Sequence, residues 1–454
     1  MTNTQSNSQL ERKLGLFPLT NIVIANMIGA GIFTTSGLLM SDLSNPLLML
    51  ALWVAGGVIA LCGALSYGAL GAAMPQAGGE YAFLSRLYHP AIGFLSGWVS
   101  FVVGFSAPIA ASAIGFSEYF SRAFPQLLMW GEGVGLNDPM MVKKILSVIV
   151  IVLFTLVHLR GIEFGARVQN SLTVLKVGLI LALLFLGFLW GEGSYSHVSE
   201  GRDFIFDFGG WKTIGLSLMW IMFAYSGWNA STYIGSEIRD PSRNLPRSLI
   251  LGTGIVTLLY LLLNVLFVYA VKPDDMKGVI SIGGLAMGKL FGGSIETIFS
   301  LLISFALFSS LSAFIILGPR VYFSMAKDGL FFRSIADVHP KFAVPAKSIL
   351  LQALVSVLMV VSGTFDQVLT YMGFSLGIFP IVAILGVFRL DPLHRKQHIP
   401  GYPLVPILYV LSGLLMLTLA FFERPAESSI AIMTVLVGIP MYLLFRRKYY
   451  NAAA

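Results

Sequence analysis

Ile28-Gly29-Ala30-Gly31-Ile32-Phe33 decides how this chain is read. The hexapeptide lies inside an apolar stretch, Leu19–Met40, long enough to cross ~30 Å of hydrocarbon as a helix. Two glycines one residue apart weaken a helix, because each loses much backbone freedom and packs no side chain. At mid-bilayer no water replaces a lost backbone hydrogen bond, so a break persists only where protein or an internal cavity surrounds it. Backbone opened at that depth offers N–H and C=O groups that can hold a small charged solute without an ionised side chain.

Composition places the whole chain in the same setting. Hydrophobic residues make up 56% of the 454 and charged residues 11%, where a soluble surface needs about 25% charged. The chain is expected to be an all-α polytopic membrane protein. Cys62 is the only cysteine, which excludes an internal disulfide. Residues 1–13 are polar and the first apolar span exceeds a signal-peptide core, so no cleavable leader is expected. There is no G-x-x-x-x-G-K-[ST] and no H-E-x-x-H, and no segment is long enough for a soluble catalytic domain. The chain is therefore not read as an enzyme, and neither cofactor nor metal is expected.

Apolar stretches recur twelve times, from Leu19–Met40 to Ile430–Phe445. The fourth, Ile145–Leu159, and the ninth, Ile349–Val361, are short and must recruit flanking residues. An even count puts both termini on one side. With the N-terminus cytoplasmic, nineteen of the 29 Lys and Arg fall on cytoplasmic segments and nine outside, leaving Lys176 within the fifth span. The positive-inside rule thus assigns both termini to the cytoplasm of a cell membrane. The net charge of +7 is a matter of topology and calls for no nucleic acid.

Transporters built from inverted repeats bind their solute where matching helices of the two halves are interrupted. The first span carries Gly29 and Gly31. Five spans later the sixth reads Phe223-Ala224-Tyr225-Ser226-Gly227-Trp228-Asn229, with Ser226-Gly227 a weak-helix pair and Ser226 and Asn229 polar at bilayer depth. Gly56-Gly57 in the second span reads as close helix packing, and either break alone would read the same way. Two breaks at equivalent positions point to a site in a five-plus-five inverted repeat. The expected organisation is a tail 1–13, a first repeat 14–190, an outer loop 191–213, a second repeat 214–388, helices eleven and twelve over 389–445, and a tail 446–454.

Here the chain resembles the amino acid–polyamine–organocation superfamily. Met27-Ile28-Gly29-Ala30-Gly31-Ile32-Phe33 looks like its first-helix signature, and Pro75-Gln76-Ala77-Gly78-Gly79-Glu80-Tyr81 like the segment after its second helix. Phe223 to Asn229, followed by Glu237, Pro241, Arg243, Asn244, Leu245, Pro246 and Arg247, is similar to its sixth helix and following loop. Gly318-Pro319-Arg320 and Met325-Ala326-Lys327-Asp328-Gly329 resemble the motif after the eighth. The ordered set is nearest the L-type amino acid transporter branch and its bacterial relatives. It implies a LeuT-like fold with discontinuous helices one and six, and an amino acid as substrate.

A zwitterionic amino acid needs partners for both charges. N–H groups near Ala30 to Phe33, at the start of the outer part of helix one, suit the carboxylate. Freed carbonyls around Asn26–Gly29 and Phe223–Tyr225 suit the ammonium, and a Cβ at Gly29 or Gly31 would hinder the ligand's approach. The expected substrate-binding set is Ile28, Gly29, Ala30, Gly31, Ile32, Phe33, Phe223, Ala224, Tyr225, Ser226, Gly227 and Asn229, with Tyr260 reaching a freed backbone group. The resemblance implies that Phe223 is an aromatic lid. Trp228 reads equally as a gate or as packing, and Glu237 and Arg243, punctuated by Pro241 and Pro246, as a turn forming an inner gate. No acidic residue lies in either break, which favours neutral substrates. A cationic amino acid or polyamine would call for a buried carboxylate, and none stands in place for it. Glu118 and Glu296 sit near outer span ends and read as solvated.

Lys176 sits within the fifth span, where an ammonium is costly unless it is paired or neutral. The resemblance implies that it takes the place of sodium in sodium-coupled relatives and braces helix one against helix eight. Exchange, uniport and proton symport all remain open at this stage. A channel would need a continuous polar lining, and a non-transporting amino acid sensor an added soluble segment; neither is visible. The outer loop between spans three and four has no cysteine, so no disulfide-linked heavy chain is expected, and the assembly reads as a monomer or weak homo-oligomer. Lys176→Ala should abolish substrate uptake while the protein still purifies as a folded species. Uptake at the wild-type rate would refute a functional role for this cation.

Overall fold

Short polar-Pro signals start several of the helices. In the computed structural model, Asn45, Asp138 and Asp391 each accept a backbone N–H of the helix that follows, and each precedes a proline at the first helical position. The structure describes residues 14–75, 78–128, 138–160, 162–337, 339, 342 and 344–453. The tail 1–13, Gln76 and Ala77 lie outside the described residues, as do the side chains of Glu237 and Arg320.

The chain begins with α1 (Leu16–Met27), α2 (Ala30–Leu43), α3 (Pro46–Ala73) and the short α4 (Gly79–Leu87). Next come α5 (Pro90–Val99) and α6 (Ser106–Ala123), joined by one π-helical segment, Ser100–Gly104. Then follow α7 (Pro139–Leu159), α8 (Ile162–Trp190), α9 (Phe208–Ala224), a 3-10 helix over Ala230–Glu237, and α10 (Pro241–Ala270). The short α11 (Pro273–Met276) and α12 (Ile282–Phe291) lead to α13 (Gly293–Lys327). The chain closes with α14 (Ala346–Ser362), α15 (Phe365–Leu385), α16 (Pro392–His398), α17 (Leu404–Glu423) and α18 (Pro425–Ala453).

Ten helical stretches among the described residues are long and apolar enough to cross a membrane. Two further expected spans are shorter, α9 and α14 at 17 residues each. Helix α14 shows which solvent the surface is built for. Ser348, Gln352 and Ser356 are buried at a spacing of four, while Leu350, Leu354 and Leu358 on the opposite face are exposed. A helix with polar residues inward and leucines outward is arranged for lipid.

The most extensive helix contacts pair α3 with α10 and α6 with α13, and α7 also packs on α14. Prolines expected to mark turns lie inside helices instead. Pro241 opens α10 and Pro246 sits within it, so the segment expected as a gate-forming turn is the N-terminal part of a helix. Pro319, in the motif expected to follow the eighth span, lies inside α13, which runs on to Lys327. Proline is tolerated in membrane helices where neighbouring groups satisfy the freed backbone. Glu118 and Glu296 are also not simply solvated: Glu118 pairs with Lys143 at 2.8 Å and Glu296 with Arg122 at 2.5 Å. These pairs tie α6 to α7 and α13.

Helix α2 meets α9 almost backbone to backbone. A Cβ on Gly31 would stand 2.5 Å from Ala224 Cα, whereas one on Gly254 of α10 would meet nothing within 4 Å. Overpacking of this kind costs about 1–3 kcal/mol. Gly31→Ala should therefore lower the thermal unfolding midpoint of the purified protein, and Gly254→Ala should not. Equal midpoints for the two variants would contradict this packing account.

Candidate functional site

Helix α1 ends at Met27, and Ile28 (φ −69°, ψ 93°) and Gly29 (φ −125°, ψ −158°) carry the chain through in extended conformation before α2 begins. No side chain caps the N-terminus of α2, so its first N–H groups have no such partner. The carbonyls on the other side of the break are used. Lys176 Nζ donates to Ala25 O at 2.9 Å and also to Ile28 O. Ser310 Oγ of α13 donates to the same Ile28 O at 3.3 Å. Lys176 is fully enclosed, so its ammonium is turned inward to backbone oxygen and not toward the membrane edge. Three helices, α1, α8 and α13, thus converge on one peptide unit.

The second interruption follows Ala224, the last residue of α9. Tyr225 to Asn229 form a turn, and Gly227 lies at φ +95°, a conformation in which a side chain is strained. A Cβ there would also stand 2.9 Å from the carbonyl of Asn26 in α1. The two breaks therefore touch at Gly227 and Asn26. Tyr260 of α10 stands between them, its hydroxyl 2.6 Å from Met27 O and 3.0 Å from Ala224 O. With a single proton to donate, it serves one carbonyl at a time. Its ring is held edge-on by Trp53 at 5.7 Å, and Tyr225 adjoins both rings.

A cavity of about 130 Å³ opens beside this contact. Asn26, Phe223, Ser226, Gly227, Trp228 and Asn229 line it. Ile28 to Phe33, Ala224, Tyr225 and Tyr260 do not, and lie packed behind it. In this conformation Gly31 faces Ala224 and Gly29 faces Ser310, so the space each glycine vacates is filled by protein. Trp228 lines the cavity and packs on Tyr67 at 4.7 Å and Tyr409 at 6.0 Å. Arg243 is exposed on the first turn of α10.

The lining holds two kinds of group. Met219, Met222, Met372 and Met416 contribute apolar surface, and unbranched thioethers adapt to varied apolar shapes. The polar groups include Glu80 of α4, whose Oε1 accepts from Asn229 Nδ2 at 3.0 Å, with Tyr233 hydroxyl 3.5 Å from the same amide nitrogen. Tyr67 and Ser96 also face the carboxyl, and burial pushes it up from the usual 4.5 to about 7. The expectation that no carboxylate stands near the site is corrected here. Glu80 is far from both breaks in sequence, and only the tertiary fold brings it to Asn229 at the second. The signal that pointed to it was the segment Pro75 to Tyr81, recognised without a role for its acid. Ser100 and Gly104 of the π-helical segment were also missed as lining residues. Pro108 lacks the N–H that would bond Gly104, and Phe105 N reaches back to Ser100 O at 3.1 Å instead. No group of three or more His, Cys, Asp or Glu among the described residues is placed to hold a metal.

Comparison with known proteins agrees with this architecture. A family model described as an amino acid permease matches residues 14–443. The serine/threonine exchanger SteT of Bacillus subtilis (strain 168) is 26% identical, over 98% of this chain and 99% of that protein. The large neutral amino acids transporter small subunit 2 of Homo sapiens is 26% identical, over 96% of this chain and 80% of its own length. The b(0,+)-type amino acid transporter 1 of Mus musculus is 25% identical, over 98% and 89%. The chain belongs to the amino acid permease family, within the amino acid–polyamine–organocation superfamily.

Proposed function

We propose that this protein is a secondary transporter that carries neutral L-amino acids across the cell membrane by alternating access, as an exchanger. The observation that carries the reading is the contact of two interrupted helices, Gly227 against Asn26, at the edge of a cavity. The relatives add weight, since the names of three of them specify a serine/threonine exchanger, a large neutral amino acids transporter and a b(0,+)-type amino acid transporter.

Twelve spans in a five-plus-five inverted repeat, with both termini cytoplasmic, account for the packing. A pseudo-two-fold axis would pair the second span with the seventh, the third with the eighth and the fourth with the ninth. Those are the pairs α3/α10, α6/α13 and α7/α14. In the mechanism, the uncapped start of α2 receives the substrate carboxylate through N–H groups at the positive end of a helix. Phe223 and Trp228 cover the substrate, and the methionines accept its apolar side chain. Lys176 donates to Ile28 O from within the protein, so no bound cation is needed to hold the break, which suits exchange. Hinge movement occurs at Ile28–Gly29 and Tyr225–Asn229, where φ and ψ change without breaking a regular helix.

Uptake by proteoliposomes tests this reading. Labelled neutral amino acids should enter only vesicles loaded with amino acid, and an imposed pH gradient should not drive entry into empty ones. Entry into empty vesicles driven by external acid would replace exchange with proton symport. No uptake of any amino acid would remove the function proposed.

A further inference from the structure

Helix α2 lies between two bodies. On one side it packs with α9 and α10, where Gly31 meets Ala224 and Ser36 Oγ donates to Asn264 Oδ1 at 2.5 Å. On the other stand α6, α12 and α13, tied together by the Arg122–Glu296 pair and by the packing of α12 on α13. Tyr119 of α6 is buried in the seam between α2 and this second body. Helix α12 begins without a cap of its own: the hydroxyl of Ser281 at its N-cap accepts from Arg122 Nη1 at 2.9 Å and caps no N–H. The Gly283 N–H in its first turn, which has no partner within the helix, donates to the Tyr119 hydroxyl at 3.0 Å instead. The phenol's one proton is donated in turn to Phe33 O, in the first turn of α2. A Cβ on Gly283 would stand 3.2 Å from that hydroxyl and 2.8 Å from Ile303 Cδ1, so the approach requires glycine. Further out, Gly278 N donates to Gly37 O at 2.9 Å. In the orientation proposed above, the far ends of α2 and α6 and the segment 271–292 all face outside.

We infer that Tyr119 latches the outer gate. It is a positioning residue that holds α2 on α6 while the path to the outside is shut, in the transport proposed above, on which this inference rests. The Gly283 N–H fixes the orientation of the hydroxyl and leaves its proton to Phe33 O. Substrate arriving from outside must reach the N–H groups at the start of α2, so α2 has to part from the second body along this seam. The bond to Phe33 O then breaks, and water admitted to the seam takes its place. Loss of the hydroxyl therefore strands a buried N–H and removes a bond only while the seam is shut. The balance shifts toward the outward-open form by about tenfold. Packing alone would not act this way, because a phenylalanine ring fills the same space.

The test is amino acid exchange by the full-length protein in proteoliposomes of known orientation, with L-leucine or L-serine titrated separately on each side. An apparent affinity is the intrinsic one scaled by the fraction of molecules facing that side, so the ratio of outer to inner KM follows the two populations. In Tyr119→Phe, which keeps the ring and loses the hydroxyl, that ratio should fall about tenfold. A residue that merely stabilises the fold would lower the exchange rate from both sides and leave the ratio alone. An unchanged ratio, where the wild type does exchange amino acids, would overturn this inference by itself. Spin labels provide a second arm that needs no transport. In a Cys62→Ala background the labels go on Ser41→Cys, at the exposed tip of α2, and Gln126→Cys, exposed just beyond α6. Tyr119→Phe should move the distance between them to longer values. Gly283→Ala, which crowds the hydroxyl, should do the same, and it decides the matter if Tyr119→Phe does not fold. Unchanged distances would overturn the latch. Absence of exchange by the wild type, whatever the distances, would remove the transport on which the gate depends.

Discussion

Everything in this molecule depends on satisfying the backbone at Ile28. A helix interrupted in the membrane interior exposes carbonyls that neither water nor a following turn can bond, each at a cost of several kcal/mol. The protein brings an ammonium from α8, a hydroxyl from α13 and a phenol from α10 to that one turn of chain. Those donors hold the break open as a defined structure. They also make it the node where three otherwise distant helices meet.

The second break relies on the first. Tyr225 to Asn229 can turn because Gly227 accepts a positive φ, and it lies close because Gly227 has no side chain to strike Asn26. Tyr260 then spans both interruptions with a single hydroxyl, so a movement of one is felt by the other.

Much of this was legible in the residues. Gly29, Gly31 and the Ser226-Gly227 pair marked both interruptions, because glycine at bilayer depth has a limited set of uses. Lys176 was conspicuous as a cation in an apolar span. The resemblance implied helices one and eight as its neighbours, but not the acceptor atoms, since a side chain of four methylenes reaches many places and only tertiary packing brings its Nζ to Ala25 O and Ile28 O. Pro246, read as part of a turn, sits inside α10, because a membrane helix tolerates proline where the surrounding protein satisfies the freed backbone. Glu80 was visible in its motif but had no assignable role, because nothing local says that it meets Asn229, 149 positions away, at the cavity wall.

Sequence by itself determined the solvent and the weak points of this protein. Hydropathy and span length are properties of each segment, and so is the tendency of glycine to interrupt a helix. Tertiary structure decided who answers those weak points. Whether Gly31 clears space for a ligand or for Ala224, and whether a break's carbonyls stay free or take Lys176 and Tyr260, depends on contacts between residues tens to hundreds of positions apart. Such contacts are set by the joint packing of several helices, and no single stretch of chain encodes them.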